Sequence, residues 1–352
     1  LKKLTYIILF FVSFQYSAQI GGTKNFRFLD IPMTARSAAL GGGNLSIWDD
    51  DINLIYNNPS LLNSQMTKKV ALNYGNYVSD LKYGYLAYAH HLKQYGNVAG
   101  SIQFYDYGKF VGYDEFGQQT TNFKAGDYSI NLTYAKPFKD SSFNVGVSLK
   151  TILSQYDIYK SYASAIDFGI TYHTKKNLTI SILAKNVGVV YKNYSQNQTQ
   201  VLPRNLQLGL SYKAPKAPFR LVLGFDLINI WNLKYISPID TTGKSNPFSS
   251  STSAQNADSS GWKKFSNRFG NRADNFMRHV TVGTEILLTK NFNLRIAYNY
   301  RRQKELTLPE RRGANGLSLG FGLKIKRFAF AYSFTKMAFP GNSSIFSITA
   351  SI

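Results

Sequence analysis

Three consecutive carboxylates, Asp49-Asp50-Asp51, are the densest chemical feature of this chain. Adjacent carboxylates repel one another, and a hard cation such as Ca²⁺ relieves that repulsion through oxygen ligands. The same residue type also caps helices, because its side-chain oxygen accepts from the first free backbone N–H groups. Asp49 or Asp50 can serve Ile52-Asn53-Leu54-Ile55-Tyr56 in this way, with Asn57-Asn58-Pro59 as the stop. Capping is the preferred reading, since no spaced ligand series follows. The chain has 4 His. His90 and His91 are adjacent, so on a strand they point to opposite faces, while His173 and His279 are isolated. No Ser/His/Asp constellation, carboxylate pair or phosphate-binding glycine loop can be argued. The expectation is a protein with no catalytic residues, no metal and no cofactor.

A second chemical feature lies between Trp231 and Phe276. This stretch is rich in Ser, Thr, Asn and Gly as far as Ser260, then turns basic and aromatic at Trp262, Lys263, Lys264, Phe265, Arg268 and Arg272. Arg recognises anions through paired donors, and aromatics supply contact area, so these residues are candidates for docking a protein or a glycan phosphate. A solvated loop of no fixed structure is the other reading. Arg301-Arg302 and Arg311-Arg312 flank the next loop and extend the same positive rim.

The elements that must hold these residues read as strands. From about residue 68 to 352, apolar residues recur at alternate positions for about ten residues at a time, which is the pattern of membrane barrels. Leu317, Leu319, Phe321, Leu323 and Ile325 interleave with Ser318, Gly320, Gly322 and Lys324; Phe292, Leu294, Ile296, Tyr298 and Tyr300 repeat the pattern against Asn293, Arg295, Ala297 and Asn299. About fourteen such segments are counted, near 68–78, 81–92, 97–109, 123–137, 142–159, 163–174, 177–191, 204–213, 218–229, 278–289, 291–302, 313–325, 327–336 and 343–352. Connections alternate between short and long. The long ones fall near 110–122, 192–203, 230–277, 303–312 and 337–342, and those near 79–80 and 160–162 are short exceptions. Tilted membrane strands need this length, whereas soluble sandwich strands run nearer five or six residues.

Composition agrees. The chain is 44% hydrophobic, 15% aromatic and only 17% charged, with Tyr 25 and Phe 25 for interfacial girdles, and its Cys 0 excludes disulfides. Lys2-Lys3, the apolar run to Phe14 and then Ser17-Ala18 predict a signal peptide over 1–18, cleaved after Ala18. The formal charge of +22 falls to +20 without those two lysines and calls for an anionic neighbourhood. Export argues against nucleic acid and for lipopolysaccharide. Charges on the inward phase, among them Lys150, Asp167, Lys185, Arg220, Asp226, Glu285, Arg295 and Lys324, line a channel or pair with one another and with the plug; pairing is preferred.

Residues 19–66 break the alternation and read as a small N-terminal plug, or hatch, containing a short helix, ahead of a barrel over 67–352. The fold class is therefore all-β, a transmembrane antiparallel β-barrel of about 14 strands. The plug motif comprises Arg36, Gly41, Gly42, Asp49, Asp50, Asn57, Asn58 and Pro59. Its stretches Ala35-Arg36-Ser37-Ala38-Ala39-Leu40-Gly41-Gly42, Trp48-Asp49-Asp50-Asp51 and Asn57-Asn58-Pro59-Ser60-Leu61-Leu62 carry a resemblance. They are similar to the hatch of fatty-acid-transporter-like (FadL-like) barrels, in the branch of the Bacteroidetes PorV and PorQ proteins and nearest PorQ. Tyr83-Gly84-Tyr85, Tyr107-Gly108-Lys109-Phe110 and Asp114-Glu115-Phe116-Gly117 add to the likeness.

The resemblance implies a non-enzymatic outer-membrane component of the type IX secretion system. Such a component anchors a PorZ-like surface protein in an attachment complex with PorU- and PorV-like subunits, where cargo is linked to anionic lipopolysaccharide. Even strand parity and the alternation of short and long connections predict both termini on the periplasmic side. The alternative is a FadL-like barrel that moves a hydrophobic ligand, which needs an apolar pocket behind the plug; inward Leu183 and Val222 leave room for a small one.

Overall fold

Strict alternation leaves each strand with one apolar and one small or polar face, and in the computed structural model the apolar face points outward. On Phe123–Phe138, Ile130 and Leu132 are 49% and 64% exposed while Asn131 and Thr133 are buried. On Phe143–Tyr156, Leu149 is 49% exposed while Ser148 and Lys150 are buried. A soluble sandwich would place these residues the other way round. An apolar belt of this size is stable only against hydrocarbon. Leu132, Leu149 and Ile166 are laterally paired at its centre. Leu149→Arg is accordingly expected to cost about 2–4 kcal/mol in urea unfolding from bilayers, against about 0–1 for Tyr159→Arg at the strand end. Equal losses at the two positions would contradict the assignment of the belt.

The structure describes residues 25–77, 81–138, 142–195, 200–227, 273–306, 315–337 and 341–352. The signal segment 1–18 and the docking candidates Trp262, Lys263, Lys264, Phe265, Arg268 and Arg272 lie outside the described residues. The strands are β1 Lys69–Asn76, β2 Lys82–His91, β3 Asn97–Phe110, β4 Phe123–Phe138, β5 Phe143–Tyr156, β6 Tyr159–His173 and β7 Leu178–Lys192, then β8 Asn205–Lys213, β9 Phe219–Asp226, β10 Val280–Ile286, β11 Phe292–Asn299, β12 Leu317–Ile325, β13 Phe328–Lys336 and β14 Asn342–Ser351. Each pairs antiparallel with its neighbours, and β1 closes on β14 from Lys69↔Ser351 to Asn76↔Ser344. Closure leaves no free sheet edge, as a lipid environment requires.

Several element ends differ from the sequence expectation by a few residues, and two of these strand ends and one cap have an evident local cause. The β5–β6 hairpin turns at Asp157-Ile158, with Tyr156 paired to Tyr159, rather than near 160–162. Asp157 takes φ 55, a left-handed conformation that short turns demand and Asp tolerates. β11 stops at Asn299, where a strand to 302 was expected, because Tyr300–Leu306 is helical and stitched by Arg301 Nε to Glu305 Oε1 at 2.8 Å. The cap of the Ile52–Tyr56 3-10 turn is Asp51, not Asp49 or Asp50: its carboxylate accepts from Asn53 N at 3.0 Å.

The described residues before β1 fill the lumen. They begin at the long-loop end, where Asn25 N donates to Val201 O at 3.0 Å, whereas Ile352 and the start of β1 share the short-turn end, Ile352 N donating to Lys68 O. The plug's first described residues and the C-terminus therefore sit at opposite ends of the barrel.

Candidate functional site

The plug starts as a short helix built from small residues. Thr34 caps Ala35–Ala39 by accepting from Ser37 N at 3.2 Å. The alanines allow close approach to the wall: Ala35 N donates to Ser347 Oγ at 2.9 Å, and a Cβ on Gly320 would fall 2.6 Å from Ala39 Cβ. Gly41 (φ +70) and Gly42 (φ +86) end the helix in the left-handed region, with Gly42 N donating to Ser37 O at 2.8 Å. That reversal sends the chain towards the short-turn end, where all three aspartates lie.

Arg36 leaves the helix for a single buried carboxylate. Its Nε and Nη2 donate to Glu285 Oε1 and Oε2 at 2.8 and 2.9 Å, a bidentate pair between plug and β10. Glu285 is 0% exposed and also accepts from Arg220 Nη1 at 2.6 Å and Arg295 Nε at 3.0 Å. Asp49 (2.7 Å) and Asp51 (3.1 Å) meet Arg36 from the plug side, and Asp49 also faces Arg220 at 3.3 Å. Three guanidiniums thus share three carboxylates across a seam that neither plug nor wall could neutralise alone. At the rim, Lys69 Nζ donates to both the carboxylate and the carbonyl of Asp50 at 2.6 Å, and Lys324 approaches at 3.4 Å.

The electrostatics of these aspartates has a pH consequence. Burial works to raise the Asp49 and Asp50 carboxyls. For Asp49, Arg36 and then Arg220 outweigh it; for Asp50, Lys69 and then Lys324 do, so both groups titrate below the ordinary carboxylate range. A depressed folded-state value contributes stability that is present above the unfolded value and disappears as pH falls through the folded one. Plug docking should hold from neutral pH to the usual carboxylate range and weaken progressively below it, as pH falls towards the depressed folded values. Limited proteolysis of residues 25–66 across a pH series checks this; release beginning near neutrality would refute it.

The remaining motif residues seat the second half of the plug. Asn57 Nδ2 donates to Ser37 Oγ at 2.9 Å and also reaches Asn44, tying the two halves together. Asn58 caps Pro59–Leu61 by accepting from Ser60 N at 3.0 Å, and its Nδ2 donates to Leu45 O at 2.8 Å. Pro59 and Ser60 press their backbone on Gly146 of β5, where a Cβ would lie 2.4 Å away, and Asn144 donates to Ser60 O and Leu62 O at 2.6 and 2.9 Å. All eight motif residues are therefore at plug–plug or plug–wall contacts.

Elsewhere inside, Lys150 pairs with Asp167 at 2.6 Å, Asp226 accepts from Gln207 Nε2 at 2.6 Å, and Lys185 sits 5.4 Å over the Tyr56 ring. The histidines are dispersed: Trp48 stacks on His173 at 4.1 Å, and His279 Nδ1 meets Asp226 O at 2.8 Å. Among the described residues, no three His, Asp or Glu side chains converge as metal ligands.

Sequence reasoning missed an aromatic cluster on the long-loop side of the plug. Phe28 meets Tyr105 edge-on at 5.5 Å, Tyr105 stacks on Tyr83 at 5.1 Å, and Tyr56 meets Tyr85 at 5.3 Å. Beside them, Asp127 accepts from Tyr107 Oη at 2.6 Å and Tyr156 Oη at 3.1 Å. The available signal was Tyr83, Tyr85, Tyr105 and Tyr107 on the inward phase, where small residues are otherwise common. Leu183 and Val222, expected to border a small apolar pocket, are fully packed. At the short-turn end, a cleft of about 680 Å³ opens between the aspartates and β9–β14.

No protein-family model and no curated protein matches this chain. Among solved structures it is similar to the Ralstonia pickettii toluene transporter TbuX, at 12% identity and TM-score 0.49 over 95% of this chain and 100% of that one. It is also similar to the monoaromatic hydrocarbon channel CymD, at 13% identity and TM-score 0.49 over 94% and 99%. For a Pseudomonas aeruginosa FadL homologue, the values are 10% identity and TM-score 0.44 over 91% and 98%. These identities are too low to align individual site residues.

Proposed function

We propose that this protein is a non-enzymatic outer-membrane barrel with a permanent plug, the membrane anchor for a PorZ-like surface protein in a type IX secretion attachment complex. The observation that supports a permanent plug is its seating on glycines of the wall. Gly146, Gly169, Gly209, Gly224, Gly283 and Gly320, on six different strands, each meet plug atoms that an added Cβ would approach within 3.2 Å or less. With the Arg36–Glu285 pair beneath it, the plug packs as core and not as a lid. The resemblance of the plug motif to the PorV and PorQ branch supports the assignment to that complex, with PorU- and PorV-like subunits as neighbours. The short turns would face the periplasm and the long loops the surface, where a chain of formal charge +22 suits anionic lipopolysaccharide. Purification from native membranes should yield a stoichiometric surface protein; bound lipid with no protein partner would sink the anchor reading.

A second reading, passage of a hydrophobic ligand, has one observation in its favour. The β3–β4 register breaks between Asp106 and Lys109, with Gly108 at φ +85, beside the tyrosine cluster. A wall irregularity there could let an apolar solute out sideways. Toluene uptake into vesicles bearing the barrel, above that into empty vesicles, would favour this reading over the anchor.

A further inference from the structure

The cleft at the short-turn end carries an imbalance that the plug's ion pairs do not consume. Eight cationic side chains line it, against Asp49, Asp50 and Asp51 in the lining and the buried Glu285 behind Arg36, Arg220 and Arg295. Arg295, 6% exposed, spends Nε on Glu285 and leaves Nη1 without a protein partner. Asn293 Oδ1 is likewise buried and unpartnered. Both side chains converge on Gly322: a Cβ there would lie 3.0 Å from Arg295 Nη2 and 2.8 Å from Asn293 Oδ1. The absent side chain lets the guanidinium and the amide lie directly against the strand at the inner end of the cleft, which both residues line. Lys324, half exposed, stands on the same strand two residues on and is held only by the long 3.4 Å contact to Asp50.

We propose that this cleft is a binding site for a phosphate group that carries a neighbouring hydroxyl, of the glycerol-phosphate kind. Excess positive charge at a buried, unsatisfied donor selects an anion over water or a cation. The planar Arg295 and the mobile Lys324 together suit the several oxygens of a phosphate. The unsatisfied Asn293 oxygen needs a donor, which the ligand's hydroxyl supplies. Occupation draws Lys324 away from Asp50 without touching the Arg36–Glu285 pair, so the ligand occupies the rim while the plug stays seated. The site is independent of which partner the long-loop side holds.

Two sources offer this chemistry, a free glycerol phosphate and the headgroup of phosphatidylglycerol in the surrounding leaflet. Calorimetric titration of the full barrel with glycerol 3-phosphate, at constant ionic strength in nanodiscs of phosphatidylcholine, should give saturable binding. Gly322→Ala pushes the ends of Arg295 and Asn293 out of place, and these flexible ends can yield, while Lys324→Gln removes an exposed charge. Each should weaken binding at least tenfold with the unfolding midpoint unchanged. Repeating the titration in phosphatidylglycerol nanodiscs separates the sources: loss of the free-ligand signal identifies the headgroup, and an unchanged affinity identifies the soluble compound. Absence of saturable binding in phosphatidylcholine, or equal affinity in both variants and the parent, would overturn the proposal.

Discussion

Replacing Glu285 by Gln is expected to lower the unfolding free energy of the barrel by about 3–5 kcal/mol, the range found when one member of a buried ion cluster is removed. The carboxylate is fully buried and is the shared acceptor of Arg36, Arg220 and Arg295. An amide of the same shape returns no charge to three guanidiniums that are largely buried. Asp49 and Asp51 still face Arg36, and Asp49 faces Arg220, but among the described residues Arg295 has no other ion pair. Adding Arg36→Gln to Glu285→Gln should recover part of the loss, since the double variant removes one stranded charge together with its missing partner. Urea unfolding of the two singles and the double in one lipid composition reads both effects. A single-variant loss below about 1 kcal/mol would mean that the network is solvated and does not hold the plug. Planar-bilayer recordings supply a second readout: the parent should be silent, and Glu285→Gln should show transient openings as the plug loosens.

Gly146→Ala should displace the plug by a different route, sterics in place of charge. An added Cβ would meet Pro59 C and Ser60 N at 2.4 Å, and both are backbone atoms that cannot swing aside. Overpacking of this kind costs about 1–3 kcal/mol. It should also break the paired bonds from Asn144 to Ser60 O and Leu62 O, since these span the same contact. Gly100→Ala is the control, with nothing within 4 Å of its added Cβ. Faster proteolytic cleavage within 25–66 in Gly146→Ala, with Gly100→Ala unchanged, is the expected result. Matching behaviour of the two variants would show that the plug does not press on the wall there.

The two variants also test the functional reading. A plug that is core should unsettle the whole barrel when its seat is damaged, so unfolding midpoint and conductance should change together. A lid would open with the barrel's stability intact.

Strand identity and facing were legible because they depend on local periodicity. Leu317 to Ile325 or Phe292 to Tyr298 state their faces through a repeat of two, whatever lies opposite. The plug was legible as an interruption of that repeat. Boundaries set by competition between neighbours were less so. Tyr300–Leu306 alternates poorly and can stitch Arg301 to Glu305, so helix replaces the expected end of β11. Asp51 caps because it directly precedes the turn, one oxygen accepting from Asn53 N while the other meets Arg36; Asp49 and Asp50 are engaged instead by partners that include the sequence-distant Arg220 and Lys324.

Tertiary structure alone decided which inward charges meet. Arg36 and Glu285 are 249 residues apart, and only barrel closure and strand stagger bring them within 2.8 Å. The pairing of inward charges, the meeting of Arg295 and Asn293 over Gly322, and the tyrosine cluster around Phe28 share that cause. The sequence by itself determined the barrel, the number of strands and the existence of a plug, since these follow from short-range alternation and its interruption. It left open what the lumen does, because inward residues of every strand look alike until the register sets them against one another.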